Sequence, residues 1–385
     1  MEFSGIKAQY RRYQEEIDRA VLAVMEKGDF ILGPEVRRLE ERLAQYVGRR
    51  HCIAVSNGTD ALVMALMCEG IGPGDCVFTT AFSFFATAEA IALVGATPVF
   101  CDINPTTYNL DPFCLNQSIK RVQREGSGRP RAIISVDLFG LCADYDRIED
   151  IAALADMVLI EDAAQAMGAS SGGRMACGFG KYGATSFFPA KPLGCYGDGG
   201  AIFCDDDRAA ELLRSIRVHG KGRHKYENLR IGLNARLDEI QAAILNCKLD
   251  HLDWEVEQRN RVARRYTERL EGLVTTPRVE NGLTCCFAQY TISLKSSRQR
   301  DGLQQALEHR GIPTIIYYPT ALNMQPAFSE LAKHQMPNAQ QAAERVLSLP
   351  MHPFLGNEEI DKICACITSV LDSGEKGNTA GDIGD

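Results

Sequence analysis

Nowhere does this 385-residue sequence stay apolar for the ~18 residues that a membrane span requires. Its start, Met1 to Tyr10, lacks a basic region followed by an apolar run, so no signal peptide is expected and the cytoplasm is the default location. An excess of positive charge is also missing. Lys and Arg total 42 against 50 Asp and Glu, a formal net charge of -8. That removes any general attraction to nucleic acid or to an anionic membrane, and neither is expected as a partner. The 14 cysteines include no C-x-x-C pair, and the 7 histidines form no H-x-x-x-H pair and no cluster with cysteine. No metal site is expected. Cys101, Cys204 and Cys247 lie within apolar runs, which points to free buried thiols rather than disulfides.

What is present is the composition of a soluble globular protein, 45% hydrophobic and 24% charged, at a length that suggests about two domains. Apolar residues recur at helical spacing over 13–27, 34–47, 60–69 and 87–94. Short apolar runs at 52–55, 76–80, 97–101, 132–136, 157–160, 184–188 and 201–204 read as strands. The alternation predicts an α/β domain, a mostly parallel sheet flanked by helices. Residues 238–270 keep helical periodicity without a proline and predict one long connecting helix. Strand-like 288–294 and 313–318 then mix with helical 298–310, 338–347 and 358–371, which predicts a smaller α+β C-terminal domain. The expected division is 1–250 for a large domain that includes the N-terminal helices, 251–371 for the small domain, and 372–385 for a disordered tail rich in Gly and Asp.

Three segments carry candidate chemistry. Ser56-Asn-Gly-Thr-Asp-Ala-Leu62 lies between an apolar run and a helix. Gly58 permits a tight turn and Thr59 adds a hydroxyl at the helix start, where free N–H groups and the dipole suit a phosphate. The same residues also read as an ordinary helix cap. In Met157-Val-Leu-Ile-Glu-Asp-Ala-Ala-Gln165 a buried strand runs straight into two acids, which places Asp162 at the carboxyl end of a strand. Open α/β sheets bind ligands there, although a helix cap is again the other reading. Lys191, flanked by Ala190 and Pro192, follows the next apolar strand. Alone it reads as a surface lysine. With Asp162 it makes the pair that pyridoxal phosphate requires. The lysine forms a Schiff base with the aldehyde, and the acid keeps the pyridine nitrogen protonated so that the ring draws electrons.

Four motifs in order, Ser56-Asn-Gly-Thr-Asp-Ala-Leu62, Glu161-Asp-Ala-Ala-Gln165, Ser186-Phe-Phe-Pro-Ala-Lys191 and Gly232-Leu-Asn-Ala-Arg236-Leu-Asp-Glu-Ile-Gln-Ala-Ala-Ile244, resemble the sugar aminotransferases of the DegT/DnrJ/EryC/StrS group, a branch of the fold-type-I pyridoxal phosphate enzymes. The resemblance runs from Gly33-Pro34 to Leu349-Pro-Met-His-Pro353. It implies pyridoxal 5'-phosphate as cofactor. Gly58, Thr59 and Ser186 would hold its phosphate, Asp162 its pyridine nitrogen and Gln165 its ring hydroxyl. Phe84 would stack on the pyridine, or else serve as a plain core Phe. Lys191 would be the Schiff-base lysine and the base that moves the proton. Asn234 in relatives reaches the phosphate from the neighbouring subunit, which implies a homodimer with shared active sites. Some members have histidine in place of the lysine and remove a hydroxyl instead; Lys191 implies transamination.

Longer strings, among them Ala288-Gln-Tyr-Thr291 and Leu322-Asn-Met-Gln-Pro-Ala327, resemble those members that transfer an amine from L-glutamate to carbon 3 of a UDP-linked 2-acetamido-2-deoxy hexuluronic acid, for surface polysaccharide such as lipopolysaccharide O-antigen. A uronate carboxylate calls for a planar guanidinium. Arg236, on the Asn234 segment, is the candidate, with an interface salt bridge as its other reading. Tyr317 and Tyr318 are expected at the sugar. Relatives often carry His-Tyr-Pro where this chain has Tyr317-Tyr318-Pro319, and proline in place of Ala321. Two further readings stand beside this one: an aminotransferase for another nucleotide-linked 3-keto or 4-keto (6-deoxy) sugar, and a regulatory protein that retains the fold.

Overall fold

The computed structural model describes residues 1–378 apart from 225, 332 and 333. Two helices open the chain, α1 (Ile6–Lys27) and α2 (Pro34–Val47). Pro34 fits the first turn of α2, where its missing N–H is no loss, and Gly48 ends the helix in the left-handed region at φ 80°. Between them Val36, Leu39, Leu43 and Val47 repeat at helical spacing and are buried. Strands and helices then alternate: β1 (His51–Val55), α3 (Gly58–Cys68), β2 (Asp75–Thr80), α4 (Ala86–Leu93), β3 (Thr97–Cys101), α5 (Pro112–Glu125), β4 (Arg129–Val136), α6 (Tyr145–Leu154) and β5 (Val158–Asp162). A short hairpin of β6 (Ser170–Ser171) and β7 (Arg174–Met175) precedes β8 (Tyr182–Ser186), β9 (Gly200–Cys204) and α7 (Asp207–Ile216).

Seven strands form the main sheet in the order β1-β9-β8-β5-β4-β2-β3. The pairs from β8 to β3 are parallel, as expected, whereas β9 runs antiparallel to both β1 and β8. Its inner residues are buried throughout, so periodicity alone did not reveal its direction. Each face of the sheet carries its own apolar cluster, one with Leu39, Leu43, Phe78 and Phe203, the other with Ile53, Leu62, Ile134 and Ile202.

The expected single helix over 238–270 is two helices, α8 (Glu239–Leu249) and α9 (Leu252–Leu270). α8 packs on α1 and α2, while α9 packs on the last helix, so the chain turns between two cores where no Pro or Gly marks the break. β10 (Leu283–Thr284) joins the β6–β7 hairpin, and β11 (Tyr290–Ser293), α10 (Ser297–Glu308), α11 (Pro337–Arg345), β12 (Val346–Leu349) and α12 (Asn357–Asn378) follow. β11 and β12 pair antiparallel. The expected strand at 313–318 is reduced to one bridge, Ile315 to Ser348. Tyr266, Tyr290, Leu303, Leu349, Ile363 and Ile367 centre the small core. Ala321, Leu322, Phe328, Met336, Ala339 and Val346 instead pack with Ala81, Phe82, Phe100, Val136 and Leu138, at the ends of β2, β3 and β4. α12 runs to Asn378, into the segment expected as a tail; Ile360, Ile363, Ile367 and Leu371 anchor it, and a formed helix propagates cheaply. The remainder of the expected tail, 379–385, lies outside the described residues.

All 14 cysteines are free thiols, ten of them buried. Among the described residues no His, Cys, Asp or Glu group could hold a metal ion, and no helix is long and apolar enough to cross a membrane.

Candidate active site

The candidate residues gather at the carboxyl ends of adjacent strands. Asp162 is the last residue of β5 and pairs with Ala184 of β8, whose own last residue is Ser186. Lys191 lies in the loop that follows. Asp162 is 5% exposed. One carboxylate oxygen accepts the Thr87 hydroxyl at 2.8 Å and the other the Ala164 N–H at 3.2 Å. Burial pushes its carboxyl above the usual range, opposed by those hydrogen bonds and by the Lys191 ammonium. Lys191 shows the reverse. It is half-buried, and desolvation pushes its ammonium below the usual lysine range while the Asp162 carboxylate pulls it back. The two opposite charges sustain each other in a site that would favour neither alone.

Beside them, α3 starts at Gly58 after Asn57, whose side chain caps the helix by accepting the Asp60 N–H at 2.8 Å. The Asn57 amide and the Ser56 hydroxyl both donate to the Asp60 carboxylate, which fixes that acid at the helix start. A Cβ on Gly58 would lie 2.8 Å from the Ser186 Cβ. Only glycine therefore lets the start of α3 approach the end of β8. The N–H groups of a first helical turn lack intrahelical acceptors. Thr59 and Ser186 are both half-buried, and the Ser186 hydroxyl, which accepts the Phe188 N–H at 3.2 Å, would lie 3.5 Å from a Cβ on Gly58.

On the other side of Asp162, buried Gln165 bridges two regions. Its oxygen accepts the Phe139 N–H at 2.7 Å and its amide donates to the Tyr318 hydroxyl at 3.0 Å. Burial pushes the Tyr318 phenol up. The Tyr318 ring meets Phe82 edge-on at 6.1 Å and Tyr317 at 5.5 Å. Phe84 is 58% exposed, with its ring 6.2 Å from Tyr318, so it is not a core Phe.

The last two sequence candidates behave differently. Asn234 and Arg236 flank Ala235, whose carbonyl accepts the Ser56 N–H at 3.2 Å, so their segment runs past the cradle of its own chain. Asn234 is exposed and Arg236 half-buried. Among the described residues no hydrogen bond or ion pair engages either side chain. Thr87 is the functional position that sequence reasoning missed. It lies in the first turn of α4, and only the fold brings its hydroxyl to an acid 75 residues away.

A buried carboxylate at a strand end, a desolvated lysine opposite it and a glycine-lined cradle of free N–H groups fit pyridoxal phosphate. This fold with this site defines a fold-type-I pyridoxal-phosphate aminotransferase. The chain belongs to the DegT/DnrJ/EryC1/StrS aminotransferase family, whose model matches residues 11–368. It is 45% identical over 96% of its length to the whole of a UDP-2-acetamido-2-deoxy-3-oxo-D-glucuronate aminotransferase from Pseudomonas aeruginosa. It is 46% identical, over 92% of this chain and 94% of the relative, to a pleiotropic regulatory protein from Geobacillus stearothermophilus. Among solved structures, a DegT DnrJ EryC1 StrS aminotransferase from Brucella abortus superposes with a TM-score of 0.94 at 47% identity, covering 96% of this chain and 99% of that one.

Proposed function

We propose that this chain transfers an amine from L-glutamate to the 3-keto carbon of a UDP-linked 2-acetamido-2-deoxy hexuluronic acid, as a cytoplasmic homodimer with shared active sites. The observation that carries the amine-transfer reading is the pair of Asp162, at the end of β5, and Lys191, in the loop that follows the adjacent β8. The cofactor, when bound, supplies an electron sink for the carbon that gains or loses the amine. Asp162, held by Thr87 and Ala164, keeps a proton on the pyridine nitrogen by offering it a buried negative charge. Lys191 Nζ takes and returns the proton on the reacting carbon; its desolvation favours the neutral amine that this task needs. Gly58, Thr59 and Ser186 would hold the phosphate, Gln165 the ring hydroxyl and Phe84 the ring face. Asn234 would complete the phosphate site of the second subunit. In support of a dimer, Leu229 and Ile231, on the way to Asn234, are 58% and 85% exposed, an apolar surface that a partner would cover.

The uronate rests on Arg236. A carboxylate in a partly dry cleft needs a cationic partner, and among the described residues no hydrogen bond or ion pair engages this guanidinium. Tyr317 and Tyr318 complete the sugar side. The reading is tested by measuring amine transfer to a UDP-ketouronate and to the matching sugar with a hydroxymethyl group, with wild type and Arg236→Ala. A charge-assisted hydrogen bond contributes about 1.5–3 kcal/mol, so the variant's apparent KM for the uronate should rise roughly ten- to a hundred-fold. The glutamate half-reaction should change little. Equal losses on both sugars would remove the uronate from the proposal. A purely regulatory role, which the name of the Geobacillus relative raises, predicts a cofactor band that glutamate does not bleach.

A further inference from the structure

α8 carries two polar side chains that the chemistry above leaves unused, Gln241 and Lys248. They stand two helical turns apart, hence on one face of the helix. Both reach the loop that carries Lys191. The Gln241 side-chain oxygen accepts the Tyr196 N–H at 2.9 Å. Lys248 Nζ donates to the Gly194 carbonyl at 2.6 Å and lies 3.9 Å from the centre of the Tyr196 ring. Lys248 is only 2% exposed. An ammonium in that position is costly, and a core of this kind would be filled more cheaply by an apolar side chain. The groups that face it are the Tyr196 ring and the Cys195 thiol from the loop and the Glu255 carboxylate from α9.

The loop is already closed on itself. The Cys195 N–H and thiol both donate to the Phe187 carbonyl, at 2.8 and 3.1 Å, and the Lys191 N–H donates to the Phe188 carbonyl at 2.8 Å. A Cβ on Gly194 would lie 2.6 Å from the Pro189 carbonyl oxygen, so the two limbs of the loop touch there. The Gly194 carbonyl is thus the point at which a rigid loop bearing Lys191 is fastened to a helix. That helix begins three residues after Arg236.

We propose that Lys248, seconded by Gln241, is a positioning residue: it pins the 187–197 loop to α8 and so fixes where Lys191 Nζ stands relative to Asp162. The inference rests on Lys191 being the cofactor lysine. The test compares wild type with Lys248→Met, Gln241→Leu and Gln241→Glu; the last keeps the acceptor for Tyr196. Three quantities are read: the melting temperature of the cofactor-free protein, the pH midpoint of the bound cofactor's visible band, and kcat and KM for glutamate.

Lys248→Met trades the cost of a buried ammonium for a Gly194 carbonyl without its donor, so its melting temperature should stay within a few degrees of wild type. Its band midpoint should nevertheless move, and kcat should fall about ten-fold with KM little changed, as expected for a reacting group displaced by a fraction of an ångström. Gln241→Leu should show the same in smaller measure, and Gln241→Glu should restore both readings. Unchanged midpoint and kcat in Lys248→Met and Gln241→Leu would overturn the proposal and leave Lys248 as core filling. Should Lys248→Met not fold, the Gln241 pair decides by the same criterion. Absence of a visible band in wild type would instead overturn the assignment of Lys191, and this inference with it.

Discussion

The cofactor side and the sugar side of the site are built differently. Around Asp162 the polar groups find partners inside one chain: Asp162 has Thr87 and Ala164, Gln165 has Phe139 and Tyr318, and Asn57 caps α3. On the sugar side half-buried Arg236 has none among the described residues, nor has Asn234, which is proposed for the phosphate of a second subunit. Preorganised hydrogen bonds and desolvation tune the reacting groups, which must not move at the moment of reaction. The sugar side must admit and release a large charged substrate, and we propose that a second subunit finishes it. On the proposed reading, chemistry sits at strand ends and recognition on a surface segment.

The largest effect that would test this contrast is Lys191→Ala. The variant should still bind the cofactor non-covalently through the cradle and Asp162, yet lose multiple turnover. Appreciable turnover without added amine would place the reacting lysine elsewhere. Next comes Asp162→Ala, expected to lower kcat on the order of 100-fold, the size of two pKa units of lost pairing. Near-normal turnover would reduce Asp162 to a strand-end cap. A mixture then probes the sugar side directly. Lys191→Ala and Arg236→Ala are each impaired, but co-refolded at equal amounts they should regain roughly a quarter of wild-type activity, since half the dimers carry one intact shared site. No recovery above the Arg236→Ala parent would mean that each chain builds its own site, and the contrast would fail. Smallest is Tyr318→Phe, which removes the acceptor for the Gln165 amide. A neutral hydrogen bond is worth about 0.5–1.5 kcal/mol, so a two- to ten-fold loss is expected. No measurable change would leave Gln165 held by Phe139 alone.

The strands of the main sheet and the motif positions were legible in the sequence because local signals carry them. An apolar run ending in acids marks a strand end wherever it lies, and Gly58 marks a tight approach. The antiparallel sense of β9 was not legible, because a strand buried on both faces shows no alternation. Neither was the break between α8 and α9, where two cores rather than a Pro or Gly turn the chain.

By itself the sequence determined the chemistry-bearing residue types, their order and the family they define, since each is written in a contiguous motif. Only the tertiary structure decided that Thr87 holds Asp162, that Tyr318 closes on Gln165, that Ala321, Phe328 and Ala339 pack at the ends of the large sheet's strands, and that a lysine of α8 grips the loop of Lys191. The three side-chain contacts among these span 54 to 153 residues of chain. No local periodicity encodes them; the packing of one element on another does.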